Sequence, residues 1–134
     1  DRIADVLTNE VIARSDYLVD IHAGDANESL RPSYSAYYAE AGGDNVVKES
    51  KRLAIAFGLD TIVQFAGSYK SVNEAIYTSA QAVTLGVPAI DIESGELGIV
   101  DNKYSSIIRR PTCFCLEEAL EVWTSQALLD TQKS

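Results

Sequence analysis

The chain has 134 residues, of which 46% are hydrophobic, and it carries a formal net charge of −9 at pH 7. This length and composition predict one folded α/β domain over residues 1–134 rather than a disordered chain. The 20 acidic residues against 11 basic ones exclude nucleic acid and an anionic membrane as partners, because both need a cationic surface. The sequence has no run of about 18 apolar residues, so it predicts no transmembrane helix.

The beginning of the chain predicts a fragment. The first residue is Asp1, and the sequence contains no methionine. We therefore expect the natural polypeptide to start upstream, so that these residues form part of a larger domain. No secretion signal is visible, which leads us to expect a cytoplasmic protein.

The two cysteines, Cys113 and Cys115, are separated by one residue. A disulfide at this spacing is strained, and a metal site would need further ligands that the sequence does not supply nearby. We interpret them as ordinary thiols near a buried surface.

Helix-like and strand-like stretches alternate along the first half of the chain. Apolar residues at helical spacing predict a helix from Ile3 to Ile12, and Tyr17–Ile21 follows as a short buried strand. The tyrosine-rich stretch Ser33–Tyr38 is a second strand candidate. A helix capped by Asp44 or Asn45 comes next. Gly58 is predicted to end this helix. The residues on its predicted inner face are Val46, Val47, Ser50, Leu53, Ala54 and Phe57.

The second half continues this alternation. The β-branched run Thr61–Phe65 predicts a strand, and Ser71–Glu74 has the form of a capping box that opens a helix to about Leu85. Gly86 ends that helix, and Ala89–Glu93 predicts another strand before the glycine-rich loop Ser94–Gly98. A final helix is predicted from an apolar stripe of Leu116, Leu120, Trp123 and Ala127.

Strands separated by helices predict an α/β fold with a mostly parallel or mixed sheet flanked by helices. Ligands of such sheets gather at the carboxyl ends of the strands. His22 stands just after the first predicted strand, and Glu93 ends the last one. These two residues are therefore the first candidates for chemistry.

His22 is the only histidine of the chain. A lone histidine often does no more than bond to nearby backbone, but this one follows a buried strand and lies between Asp20 and Asp25. Imidazole is the commonest zinc ligand in proteins, and a neighbouring carboxylate often orients it. The pattern indicates a metal ligand, with Asp20 and Asp25 as candidates for its orienting partners.

Glu93 closes an otherwise apolar strand. A carboxylate in that position can simply cap a loop or take a salt bridge. At the rim of a dry cleft, however, its pKa would be raised, which suits a general base. Glu96 lies three residues further on and is a candidate for its electrostatic neighbour, although pairs of carboxylates are too common to identify a glycosidase.

Two motifs in this order resemble the succinylglutamate desuccinylase/aspartoacylase family, which is related in fold to the zinc carboxypeptidases. The first is Asp20-Ile21-His22, and the second is the stretch from Val87-Pro88-Ala89 to Glu93-Ser94-Gly95. The opening helix that leads into the first motif is also similar. The resemblance covers residues 1–100.

The resemblance implies a zinc-dependent deacylase that cleaves the amide bond of an N-acyl amino acid. His22 would be a zinc ligand and Glu93 the catalytic base, which takes a proton from water and passes it to the leaving amine. The expected partner is a small acylated amino acid, and a homo-oligomer is one expected assembly. A zinc carboxypeptidase-type peptidase and a non-catalytic binding domain are the alternatives.

The sequence departs from the family pattern in two places. The family's other zinc ligands come from an upstream His-x-x-Glu motif, and its substrate-binding arginines also lie upstream, whereas this chain has one histidine. The stretch after Asn102 matches nothing expected there. We therefore expect the isolated chain to be inactive, because the upstream metal ligands are missing, and we expect zinc as the cofactor of the full enzyme rather than of this chain alone.

Overall fold

A computed structural model describes residues 2–106 and 108–109 of the chain. Within them, four strands form one sheet in the order β1-β4-β2-β3. The strands are β1 (Leu18–His22), β2 (Ser29–Tyr38), β3 (Ile62–Phe65) and β4 (Ala89–Glu96), and the α-helices are α1 (Arg2–Val6), α2 (Asp44–Ala56) and α3 (Thr78–Thr84). The predicted C-terminal helix and both cysteines lie outside the described residues.

The sheet is mixed. Strands β1 and β4 pair in parallel, as do β2 and β3, whereas β2 runs antiparallel to β4. The predicted α/β class with a mixed sheet flanked by helices is confirmed. A single domain over residues 1–134 stays a prediction.

Successive side chains of β4 point to opposite faces of the sheet and join two different hydrophobic clusters. Ile90 and Ile92 are fully buried and pack with Leu53 and Phe57 of the α2 side. Ala89 belongs to the other cluster, with the small buried residues of α3. Because side chains alternate along a strand, Asp91 and Glu93 lie on the same face as Ala89, toward α3.

Helix α2 follows the prediction closely except at its cap. The residues predicted to face inward are buried, apart from Val47, which is half-buried. The N-cap is Gly43, and no side chain caps the helix, so a cap at Asp44 or Asn45 is wrong. Asp44 lies in the first turn instead, where a carboxylate interacts favourably with the helix dipole.

The predicted capping box at Ser71 does not open an α-helix. Residues Val72–Glu74 form one 3₁₀ turn, and the Ser71 side chain makes no cap hydrogen bond. The Glu74 carboxylate instead accepts a hydrogen bond from the backbone N–H of Lys70 at 3.1 Å. The chain then becomes extended at Ala75, and α3 begins only at Thr78.

Strand β4 is longer than predicted. It continues through Ser94 and Gly95 to Glu96, because Leu30 and Ser29 of β2 pair with its last two residues. The glycine-rich stretch is therefore strand before it becomes loop. Glu93 lies inside β4 rather than at its end.

The N-terminal helix carries an exposed apolar stripe. Helix α1 continues as a π-helix over Leu7–Val11 and a 3₁₀ turn over Ile12–Arg14. Ile3, Leu7 and Val11 expose 72%, 50% and 53% of their surface, whereas Ile12 is buried. This surface is consistent with the expected self-association, which stays a prediction. None of the helices in the described residues has the length and apolar character that a membrane span requires.

Two adjacent glycines before α2 differ in how closely the rest of the chain packs against them. Gly42 and Gly43 both have φ near +80°, at 82° and 84°. A Cβ at Gly42 would lie 2.4 Å from the carbonyl oxygen of Val83, whereas a Cβ at Gly43 would meet nothing within 4 Å. We expect Gly42→Ala to lower the free energy of unfolding by about 1–3 kcal/mol more than Gly43→Ala. Urea denaturation of both variants measures the difference, and equal losses would contradict the contact.

Candidate metal and catalytic site

Four ionisable side chains meet on neighbouring strands. In the parallel pairing of β1 with β4, Asp20 is opposite Asp91 and His22 is opposite Glu93. Partners in register point to the same face of a sheet, and residues two apart on one strand do so as well. The four side chains therefore share the α3 face at the carboxyl end of β1.

His22 is the last residue of β1, and its ring contacts a carboxylate of the same strand. Its Nε2 lies 3.2 Å from Asp20 Oδ2, with 49% of the histidine side chain exposed. Burial lowers the pKa of His22, but the charge and hydrogen bond of Asp20 raise it, as do the charges of Glu93 and Asp91. The net pKa is raised, so an unliganded His22 holds a proton between the carboxylates more readily than a free histidine does.

Asp91 is the most buried member of the group and exposes 6% of its surface. Its Oδ2 accepts a hydrogen bond of 2.8 Å from the hydroxyl of Ser79 in α3. Burial raises the pKa of Asp91 to about 6, although the Ser79 hydrogen bond acts in the opposite direction. The fold therefore holds a carboxylate where its charge is costly.

Glu93 lies between two side chains of the adjacent strands. His22 is its partner on β1, and Tyr34 is its partner on β2. Burial raises the pKa of Glu93, while the charge of His22 lowers it. Burial and the charge of Glu93 also raise the pKa of Tyr34. A half-buried carboxylate with a raised pKa has the properties of a proton acceptor.

These side chains line a cavity of about 620 Å³. Aromatic residues line it as well, and Tyr38 packs against Phe65 and Tyr69 with ring centroids 5.4 and 5.9 Å away. Among the described residues, no lysine or arginine lines this cavity. The lining therefore combines carboxylates with aromatic rings.

Glu96 does not join Glu93. It lies three positions further along β4, on the opposite face of the sheet. It forms an ion pair with Arg31 and accepts hydrogen bonds from the hydroxyls of Ser29 and Tyr104 at 3.1 and 3.2 Å. Its carboxylate thus holds the strand ends together away from the cavity.

Asp25 lies in the exposed loop after β1. Its Oδ1 accepts a hydrogen bond of 2.7 Å from the backbone N–H of Ala26, and its own N–H is 3.4 Å from Glu28 Oε2. These contacts stabilise the turn. Asp20, rather than Asp25, contacts the ring of His22.

The donor atoms fit a divalent metal ion. One ligand atom each from Asp20, His22 and Asp91 lie within 4.8 Å of one another. Zinc with bonds of about 2.1 Å requires tetrahedral ligand atoms about 3.4 Å apart. Side-chain rotations of about 1 Å would close this difference, and imidazole and carboxylate are both ordinary zinc ligands.

Asp91 and Ser79 were not among the residues selected from the sequence. A signal for Asp91 was available, because it is the one charged residue within the apolar run of Ala89–Ile92. Ser79 has no such signal. It reaches Asp91 only because α3 crosses the face of β4.

Comparison with solved structures identifies the fold. The chain superposes on product-bound EutE (DoeB), an ectoine utilization protein of Ruegeria pomeroyi, with a TM-score of 0.76 and 17% identity over 88% of this chain. A succinylglutamate desuccinylase of Silicibacter sp. TM1040 gives 0.70, with 16% identity over 87%. A succinylglutamate desuccinylase/aspartoacylase of Rhodobacter sphaeroides gives 0.68, with 19% identity over 87%.

This chain has the fold of the succinylglutamate desuccinylase/aspartoacylase structures, which confirms at the level of fold the resemblance seen in the sequence. It spans 34%, 34% and 32% of those three chains. No protein-family model matches the sequence, and no curated protein matches it either. The comparison therefore establishes a partial α/β fold.

Proposed function

We propose that this chain is the part of a zinc-dependent deacylase that carries a metal ligand, His22, and the catalytic base, Glu93. The observation that carries the proposal is the register of β1 and β4, which sets these two side chains opposite each other in a fold shared with desuccinylase/aspartoacylase structures. The reaction is hydrolysis of the amide bond of an N-acyl amino acid.

Each residue has a distinct part in this reaction. Bound zinc would supply a Lewis acid that polarises the acyl carbonyl and acidifies a water. Glu93 takes the proton of the attacking water and passes it to the leaving amine, and its raised pKa supports this exchange. His22 binds through a ring nitrogen, and Asp20 fixes the orientation of that ring.

The substrate class is a proposal as well. The chain spans about a third of the structures that it matches, so residues outside it would complete the substrate pocket. Assays on N-acetyl and N-succinyl amino acids, with a peptide carrying a free C-terminal residue beside them, separate a deacylase from a carboxypeptidase. They should be run on this chain and on the longest polypeptide that contains it, where we expect the activity.

The role of His22 can be measured without turnover. We expect His22→Ala to weaken zinc binding by about a hundredfold, because it removes the one imidazole ligand. Isothermal calorimetry measures the affinity, and circular dichroism shows whether the variant is folded. Unaltered affinity in a folded variant would refute the assignment of His22.

The two cysteines could interfere with that titration. Cys113 and Cys115 could bind zinc as thiolates and mask the loss of His22. All proteins in the comparison should therefore carry serine at both positions. A non-catalytic binding domain would bind zinc in the same way, so hydrolysis by the longer polypeptide distinguishes it from a deacylase.

A further inference from the structure

We infer that the cavity binds an apolar, ring-sized group of the N-acyl amino acid against the aromatic side chains that line it. The inference rests on the proposed function, because it concerns the substrate of the same cavity. It goes further by naming the chemical class of the group that this part of the chain selects. Three features carry it: a packed cluster of aromatic rings, two exposed apolar side chains, and a lining without lysine or arginine among the described residues.

Three of the lining rings form one packed cluster. Tyr38 and Phe65 are partners in the parallel pairing of β2 with β3, and their ring centroids are 5.4 Å apart. Tyr69 packs against Tyr38 in an edge arrangement at 5.9 Å. Tyr38 is buried in the same hydrophobic cluster as the small residues of α3. Because this packing fixes the rings before a ligand arrives, little side-chain freedom is lost on binding.

Polar groups within this part of the lining already have partners in the chain. The Tyr38 hydroxyl is hydrogen-bonded to the side chains of Tyr69 and Ser79. Gln64, which also lines the cavity, donates its side-chain N–H to the hydroxyl of Tyr37 at 2.6 Å. A ligand therefore meets mainly the carbon surface of these residues. Aromatic surface of this kind favours another ring or a branched apolar group.

Two large apolar side chains of the same cavity are open to water. Ile76 and Tyr77 lie between the 3₁₀ turn and α3, expose 78% and 61% of their surface, and both line the cavity. Exposed apolar side chains beside a cavity are typical of a surface that a ligand covers. A bound ring would remove them from water, which increases affinity with the apolar area that becomes buried.

The charge of the lining disfavours an acidic group at this position. Asp20, Asp91 and Glu93 line the cavity, and no lysine or arginine of the described residues joins them. A side-chain carboxylate on the ligand would lie among like charges without a cation from these residues, which costs affinity. The substrate-binding arginines that the resemblance places upstream lie outside this lining. Probes of the lining should therefore carry no free α-carboxylate.

The experiment measures the binding of four amides to the full 134-residue chain by two-dimensional NMR, in the presence of a chelator. N-acetylphenylalanine amide carries a ring on the amino-acid half, and N-benzoylglycine amide carries one on the acyl half. N-acetylaspartate α-amide and N-acetyllysine amide carry a negative and a positive side chain instead. Circular dichroism establishes that the chain and each variant are folded.

Exposed residues supply the variants. Ile76→Ser and Tyr77→Ser remove apolar surface from the cavity without disturbing the core. Ile55→Ser is the matched control, because Ile55 is 57% exposed on α2 and does not line the cavity.

We expect one of the two ring-bearing amides to bind about tenfold more tightly than the aspartate amide. The tighter of the two identifies the half of the substrate that meets the rings. Ile76→Ser and Tyr77→Ser should each weaken its binding by about threefold to tenfold, whereas Ile55→Ser should leave it unchanged.

Tighter binding of the aspartate or the lysine amide would show that charge rather than aromatic surface selects the ligand, and it would overturn the inference. Equal binding of all four amides, or no binding by the folded chain, would overturn it as well. The proposed function is tested apart from these results, by the zinc titration of His22→Ala and by hydrolysis with the longer polypeptide. A deacylase that prefers an acidic substrate would satisfy the proposed function and contradict this inference.

Discussion

In the deacylase proposed above, replacing Glu93 by glutamine should lower the turnover number by about 10²–10⁴-fold, the usual contribution of a positioned general base. Glutamine keeps the size of the side chain but cannot accept a proton from water. Glu93 is half-buried beside His22, so the substitution should fold without rearrangement. Steady-state hydrolysis of an N-acyl amino acid measures the effect.

The same variant should keep its zinc, since Glu93 is proposed as the base and lies outside the cluster of Asp20, His22 and Asp91 that could hold the ion. An affinity within threefold of the wild type, combined with lost turnover, would identify a base rather than a ligand. Glu40→Gln is a suitable control because Glu40 is an exposed carboxylate just beyond β2. Normal turnover in Glu93→Gln would remove this residue from the mechanism.

Local sequence signals were sufficient for most elements of this fold. The periodicity of residues in α2 predicted its buried face, and the β-branched run before Phe65 predicted β3 to within one residue. The mistakes occurred where pairing partners decide the structure. Ser94–Glu96 is strand because β2 pairs with it, and the antiparallel direction of β2 cannot be read from its own residues.

The candidate site divides in the same way. His22 and Glu93 stand out because each is a chemically distinctive residue at the edge of an apolar run. Their pairing in register depends on the tertiary structure and cannot be read from the local sequence. The same holds for the contact of Asp91 with Ser79, which lies twelve residues earlier in the chain, on a helix. Asp25 and Glu96 were plausible from spacing alone, but the alternation of β4 and the turn after β1 direct them elsewhere.

Replacing Asp91 by asparagine should raise the free energy of unfolding of the chain at pH 7 by about 2–3 kcal/mol in the presence of a chelator. Burial raises the pKa of Asp91 from 3.8 to about 6. Each pKa unit corresponds to about 1.4 kcal/mol, so the charged form destabilises the folded chain. The amide oxygen of asparagine can still accept the hydrogen bond from Ser79.

The direction of the pH dependence follows from the same pKa values. The unfolded chain releases the Asp91 proton near pH 3.8, whereas the folded chain retains it until about pH 6. Between these values the folded state binds more protons, so its stability falls as the pH rises. Urea denaturation at pH 4, 5, 6 and 7 should show this contribution in the wild type and in the control Asp60→Asn, but not in Asp91→Asn.

Zinc should remove most of the difference between these two proteins, because Asp91 belongs to the cluster whose ligand atoms fit a metal ion. A ligand that binds only the folded state at one hundred times its dissociation constant adds about 2.7 kcal/mol of stability. That gain is similar to the loss of about 2–3 kcal/mol that the charged carboxylate causes, so the wild type and Asp91→Asn should have similar stability in zinc. A lower stability of Asp91→Asn under chelation would show that the carboxylate serves packing. A difference that zinc leaves unchanged would show that the ion does not use Asp91.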